Sequence, residues 1–212
     1  MIKRNIQYIK QSIPGNVTLL AVSKTKPNDI VLEAYDAGQK DFGENYVQEL
    51  ADKAAILPKD IIWHFIGHLQ SNKVKYIAPF VYLIHGVDSI SLLKEINKEG
   101  KKNNRVINCL LQLHVATEET KYGFSIKEAT ELLRSEKLNE LHFISIKGFM
   151  AMASNTEDEM QIRTEFKAVK QLQNQFPLLN ILSLGMSNDY LIAIEEGSNM
   201  VRIGSSIFGE RN

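Results

Sequence analysis

The chain has 212 residues, 25 of them basic and 25 acidic, for a formal net charge of zero. That length allows one large α/β domain or two small ones, and 44% hydrophobic with 24% charged residues is ordinary for a globular protein. Balanced charge argues against nucleic-acid and acidic-membrane partners, and no stretch approaches the roughly 18 apolar residues of a membrane span.

Met1 to Asn28 contains no acidic residue, a feature shared with transit peptides. Ile2, Ile6 and Ile9 nevertheless fall on one helical face, and strand character begins near Val17, so the segment reads as an opening helix. The run Val17-Thr-Leu-Leu-Ala-Val-Ser-Lys24 is apolar and β-branched, as expected of a buried strand in a parallel sheet. Lys24 stands at its C-terminal tip. There it either snorkels its ammonium into water, or is partly desolvated with a lowered pKa and so able to condense with an aldehyde.

Further strand-like runs occur near 41–44, 61–67, 81–87, 105–115, 141–151, 181–186 and 200–203. Helical patterns lie between them, near 28–38, 45–57, 70–77, 89–101, 125–136, 156–176 and 189–197. Pro27-Asn-Asp opens the first of these helices and Gly38 closes it, Asp88-Ser begins another, and Asn155-Thr-Glu-Asp-Glu supplies a cap and first-turn acids. Cys109, the only cysteine, lies in an apolar run; it reads as a core thiol and fits a reducing, cytoplasmic setting. Eight strands alternating with helices, with no linker or composition shift, indicate a single-domain (β/α)8 TIM barrel over 1–212 with an N-terminal helix.

Functional groups of such barrels collect at the C-terminal strand ends. Those ends carry Lys24, Phe42-Gly-Glu-Asn45, His64-Phe-Ile-Gly67, Lys147-Gly-Phe-Met150, Gly185-Met-Ser187 and Arg202-Ile-Gly-Ser205. The last two follow strands seven and eight, where barrels bind phosphate. Glycines there admit close backbone approach, and the Ser187 and Ser205 hydroxyls can donate. Arg202 inside a strand needs a partner: a carboxylate such as Glu44, or an acceptor on a ligand. His64 and His68 need not share a face, so metal binding is not expected. Lys121, in the loop after strand five, is either solvated or a second amine near the site.

The stretches Leu19-Leu-Ala-Val-Ser-Lys-Thr-Lys-Pro27, Phe42-Gly-Glu-Asn-Tyr-Val-Gln-Glu49, Trp63-His-Phe-Ile-Gly67, Leu69-Gln-Ser-Asn-Lys73, Ser183-Leu-Gly-Met-Ser187, Met200-Val-Arg-Ile-Gly204 and Ile207-Phe-Gly209 span almost the whole chain. Together they resemble the pyridoxal phosphate homeostasis family, whose fold is like the N-terminal domain of alanine racemase. The resemblance implies that Lys24 carries pyridoxal 5′-phosphate as a Schiff base. It implies that Ser187, Gly204 and Ser205 hold the phosphate, that Arg202 faces the pyridine nitrogen, and that Asn45, His64 and Met150 line the pocket. It also implies a cofactor carrier that can supply apo-enzymes; a monomer is expected. A minimal amino-acid racemase, using Lys121 or Tyr46 as a second acid/base, is the alternative, and a cofactor-free Schiff-base aldolase is a third reading. Racemases with this barrel use a tyrosine and an additional β-domain for which this chain has no room. The basic C-terminal tail of some relatives has no counterpart, so roles tied to it are not expected.

Overall fold

A computed structural model describes residues 1–118 and 122–209. Helix α1 (Ile2–Ser12) buries Ile2, Ile6 and Ile9 on one face. Eight parallel strands then close into a barrel in sequence order: β1 (Thr18–Val22), β2 (Asp41–Glu44), β3 (Ile62–Phe65), β4 (Leu83–Val87), β5 (Ile107–Leu113), β6 (Ile144–Ala151), β7 (Ile181–Ser183) and β8 (Met200–Ile203). The crossovers are α2 (Asn28–Asp36), α3 (Val47–Ile56), α4 (Val74–Ile77), α5 (Ile90–Lys102), α6 (Ile126–Arg134), α7 (Glu159–Asn174) and α8 (Tyr190–Glu195), and α9 (Ser205–Phe208) follows β8.

Strand alternation divides the apolar residues in two. Leu19, Ala21, Phe42, Trp63, Phe65, Cys109, Phe149 and Val201 belong to the shell between barrel and helices. Leu83, Leu110, Met150 and Met200 form a separate plug. In β1 the parity turns Leu20 and Val22 inward. A Cβ on Gly43 would meet Leu20 Cδ2 at 3.3 Å and Ile66 Cδ1 at 3.1 Å, which places all three residues inside. Full burial of a side chain such as Phe42 or Phe65 contributes about 1.5–3 kcal/mol, so the shell dominates the packing energy.

Local signals set the ends. Ser89 Oγ accepts the Leu92 N–H at the start of α5, a Ser125–Glu128 capping box opens α6, and Asp158 rather than Asn155 caps α7. Gly38, at φ +87°, ends α2 as expected. Two elements differ from the sequence pattern. The segment expected to be one helix over 70–77 is a 3-10 turn (Ser71–Lys73) followed by α4. Strand β7 stops at Ser183, two residues before Gly185 adopts φ +89°. Among the described residues no helix is long and apolar enough to cross a membrane.

Candidate ligand site at the barrel mouth

A cavity of about 610 Å³ opens at the C-terminal ends of the strands. Lys24, Asn45, Ser187, Arg202, Gly204 and Ser205 all line it. Parallel pairing of β1 with β8, in which Leu20 faces Arg202, brings Lys24 and Gly204 to adjacent strand ends although the chain separates them widely.

Lys24 is half-buried and sits two residues beyond β1. The backbone that carries it is tightly held. Ser23 N–H donates to Gly43 O at 3.1 Å, and Thr25 N–H donates to Glu49 Oε1 at 2.7 Å. Thr25 adopts φ +63°, a left-handed conformation costly for a β-branched residue. A buried ionic cluster lies behind this turn. Lys53 Nζ donates to Glu44 Oε1 and Glu49 Oε1, both at 2.7 Å, and to the Ser23 carbonyl at 2.8 Å. Ser23 Oγ donates to Glu44 Oε1 at 2.6 Å. Burial holds the Glu44 carboxyl above its ordinary pKa, with Lys53 opposing the shift. Sequence reading missed this cluster. Glu49 and Lys53, four apart on α3, were its visible trace.

Across the cavity, Ser187 Oγ lies 3.4 Å from the Gly204 N–H. A Cβ on Gly185 would lie 2.6 Å from Ala193 Cβ, so only glycine lets the loop after β7 approach α8. Glycine, backbone amide and hydroxyls together form a small polar cradle of the kind that accepts an anion.

Arg202 is buried at the floor. Its Nη1 donates to the Ser183 carbonyl and to Ser183 Oγ, the latter at 2.7 Å, and its Nη2 donates to Ala151 O at 2.9 Å. Burial lowers its pKa to about 10, with the Asp189 carboxylate acting in the other direction, so it stays charged at neutral pH. Glu44, considered from sequence as its partner, is instead committed to Lys53 and Ser23. Asn45 Oδ1 is buried at the cavity edge without a hydrogen-bond partner in the protein. That orphaned atom, with the polar cradle and the charged floor, fits a compact polar phosphate-bearing ligand.

His64 and Met150, expected to line the pocket, lie beneath the cavity. Each is one inward-facing position below a residue that does line it, Ile66 and Met152 respectively. Met150 belongs to the interior plug, and His64 is fully buried between His85 and Asp41. His68 sits apart, 3.2 Å from Asp88 and stacked on Tyr122. Lys121 falls outside the described residues.

The family model for the alanine racemase N-terminal domain matches residues 1–212. The pyridoxal phosphate homeostasis protein of Vibrio alginolyticus is 39% identical, with 100% of this chain and 98% of that protein covered. The protein of the same name from Escherichia coli K12 is 38% identical, with 94% and 88% covered. PipY of Synechococcus elongatus, solved without PLP and with PLP bound, superposes with TM-scores of 0.91 and 0.87 at 33% identity, covering 99% of this chain and 100% of PipY. Alanine racemase of Clostridium difficile superposes at 0.80 but is 14% identical, and 56% of it is covered; it shares the barrel.

Proposed function

The chain belongs to the pyridoxal phosphate homeostasis family, within the alanine racemase N-terminal domain group, and on that premise we propose how it handles the cofactor. It binds pyridoxal 5′-phosphate in the barrel-mouth cavity, tethers it through Lys24, and serves intracellular cofactor homeostasis. The observation that carries this reading is the convergence of a half-buried lysine, a glycine-serine cradle and a buried arginine on one cavity.

Bound pyridoxal phosphate supplies an electrophilic aldehyde and a ring that can withdraw electrons. Lys24 provides the amine that holds the aldehyde. Ser187, Ser205 and the backbone at Gly204 bind the phosphate, and Asn45 offers a further polar contact. Arg202 meets the pyridine nitrogen as a donor. A guanidinium whose pKa is about 10 does not give up its proton at neutral pH, so the nitrogen stays unprotonated and the electron sink weak. His64 and Met150 act from below, supporting the floor.

These features favour a carrier over an enzyme. A racemase needs a second acid/base beside the ligand. Of the two residues considered for that role, Tyr46 is exposed at the start of α3 and outside the residues that line the cavity, and Lys121 lies outside the described residues. The carrier acts as a monomer in the cytoplasm and passes its cofactor to apo-enzymes. Purified protein mixed with pyridoxal phosphate should show a visible absorbance band that Lys24→Ala abolishes. Borohydride trapping followed by mass spectrometry should place a pyridoxyl adduct on Lys24. The band should fall when an apo-enzyme acceptor is added. An adduct on another lysine overturns the tether, and sustained amino-acid racemisation by the purified chain overturns the carrier role.

A further inference from the structure

Beneath the cavity floor a line of polar side chains crosses the inside of the barrel. Arg202 Nη1 donates to Ser183 Oγ at 2.7 Å, and Ser183 Oγ lies 3.0 Å from His85 Nδ1. His85 Nε2 lies 2.9 Å from His64 Nδ1, and His64 Nε2 lies 3.1 Å from Asp41 Oδ1. The five residues come from β8, β7, β4, β3 and β2. Four are buried, whereas Asp41, the first residue of β2, is a quarter exposed at the end of the barrel opposite the cavity.

With both imidazoles neutral, the two ends fix the direction of every link. A guanidinium can only donate and a carboxylate can only accept. Four links then need four protons: one from Arg202, one from the Ser183 hydroxyl and one from each imidazole. Ser183 must donate to His85 Nδ1, His85 Nε2–H to His64 Nδ1, and His64 Nε2–H to Asp41. His64 protonated on both nitrogens would reverse the chain instead: His85 would carry its proton on Nδ1, and Ser183 Oγ would accept from both His85 and Arg202. Burial, reinforced by the charge of Arg202, holds His85 well below its ordinary pKa and therefore neutral.

A satisfied polar chain of this length is not needed to fill a barrel. The neighbouring interior is filled by Leu83, Leu110, Met150 and Met200, which require no partners. We infer that Asp41, His64, His85 and Ser183 are positioning residues for Arg202, a one-way hydrogen-bonded chain that locks the plane and orientation of its guanidinium at the pocket floor. Hydrogen bonds in such a series polarise one another, so the Asp41 carboxylate strengthens the acceptor that Ser183 presents. What Arg202 meets in the pocket rests on the function proposed above; the chain itself is a property of the protein without ligand.

The test uses nitrogen-15 NMR and cofactor absorbance on the full-length chain. In ligand-free wild type, both rings should be neutral with the proton on Nε2, and the Arg202 guanidinium should give separate, slowly exchanging signals. In Ser183→Ala those guanidinium signals should merge, the cofactor band should shift, and affinity for pyridoxal phosphate should fall about tenfold, the equivalent of one hydrogen bond. Ser183→Thr should restore wild-type behaviour. Ser198→Ala is the control: this buried serine donates only to backbone carbonyls, so its loss should lower stability without moving the band. A charged ring or an Nδ1–H ring in wild type overturns the inference, and needs no variant to fold. So do guanidinium signals in Ser183→Ala that match those of Ser198→Ala. Absence of any cofactor band in wild type would instead overturn the binding reading, while the ring and guanidinium signals still decide the chain.

Discussion

Lys53 Nζ lies 2.7 Å from Glu44 Oε1, and both side chains are inside the protein, at 5% and 0% exposure. The same ammonium holds the Ser23 carbonyl, one residue before Lys24. A buried ion pair gains little over an apolar pair, yet removing one partner strands the other. Lys53→Met should therefore cost about 3–5 kcal/mol, read by urea denaturation.

That cost should depend on pH. The Glu44 carboxyl already sits above its ordinary pKa, and loss of Lys53 removes the charge that opposes the rise. A group whose native pKa exceeds its unfolded one contributes stability below the unfolded value and loses it as pH climbs through the native one. The Lys53→Met deficit should be smaller near about pH 5 than near about pH 7.5. An equal deficit at both would mean that Glu44 has found another partner.

Gly67→Ala should disturb the cavity from behind. A Cβ at Gly67 would lie 2.2 Å from the Asn45 carbonyl oxygen, and one at Gly86 would lie 2.5 Å from the Gly67 carbonyl oxygen. Backbone meets backbone at the ends of β2, β3 and β4, so no flexible side chain can yield. Overpacking of about 1–3 kcal/mol should appear as a lower melting temperature, and displacement of Asn45 as weaker cofactor binding in an absorbance titration.

Arg202→Lys keeps the charge and loses the fork. One ammonium cannot reproduce the bonds that Nη1 and Nη2 make to Ser183 and Ala151. Stability should drop by about 1–3 kcal/mol, and the cofactor band should shift relative to wild type. Calorimetry with a paired spectrum checks both; an unchanged spectrum would separate Arg202 from the bound ring.

Cys109 is fully buried, and burial pushes its thiol pKa up. The thiolate is the reactive form. A thiol reagent should leave the native protein unmodified and label one equivalent in denaturant. Rapid labelling of native protein would contradict the packing of β5.

The barrel was readable because alternation of apolar strands with amphipathic helices survives in a single sequence. Strand β2 was expected at 41–44 and spans Asp41–Glu44; β8 was expected at 200–203 and spans Met200–Ile203. The glycine-serine ends and Lys24 were legible for the same reason: a parallel barrel puts strand ends together whatever the register. Depth was not legible. His64 and Ile66 share parity, and only the position of the rim decides that Ile66 lines the cavity while His64 lies below it. Links such as His85 to Ser183 join residues 98 apart and depend on barrel closure. The pairing of Glu44 with Lys53 crosses from strand to helix, which no periodicity encodes.

Barrel closure between β1 and β8 also sets when the site can exist. A ribosome delivers Lys24 early and the Gly204 loop near the end of synthesis. A chain with seven strands made has the lysine, but neither the cradle nor the buried arginine. On the function proposed above, capture of a reactive aldehyde is deferred until the last strand seats, and a partly made barrel is poorly equipped to trap cofactor at the wrong moment.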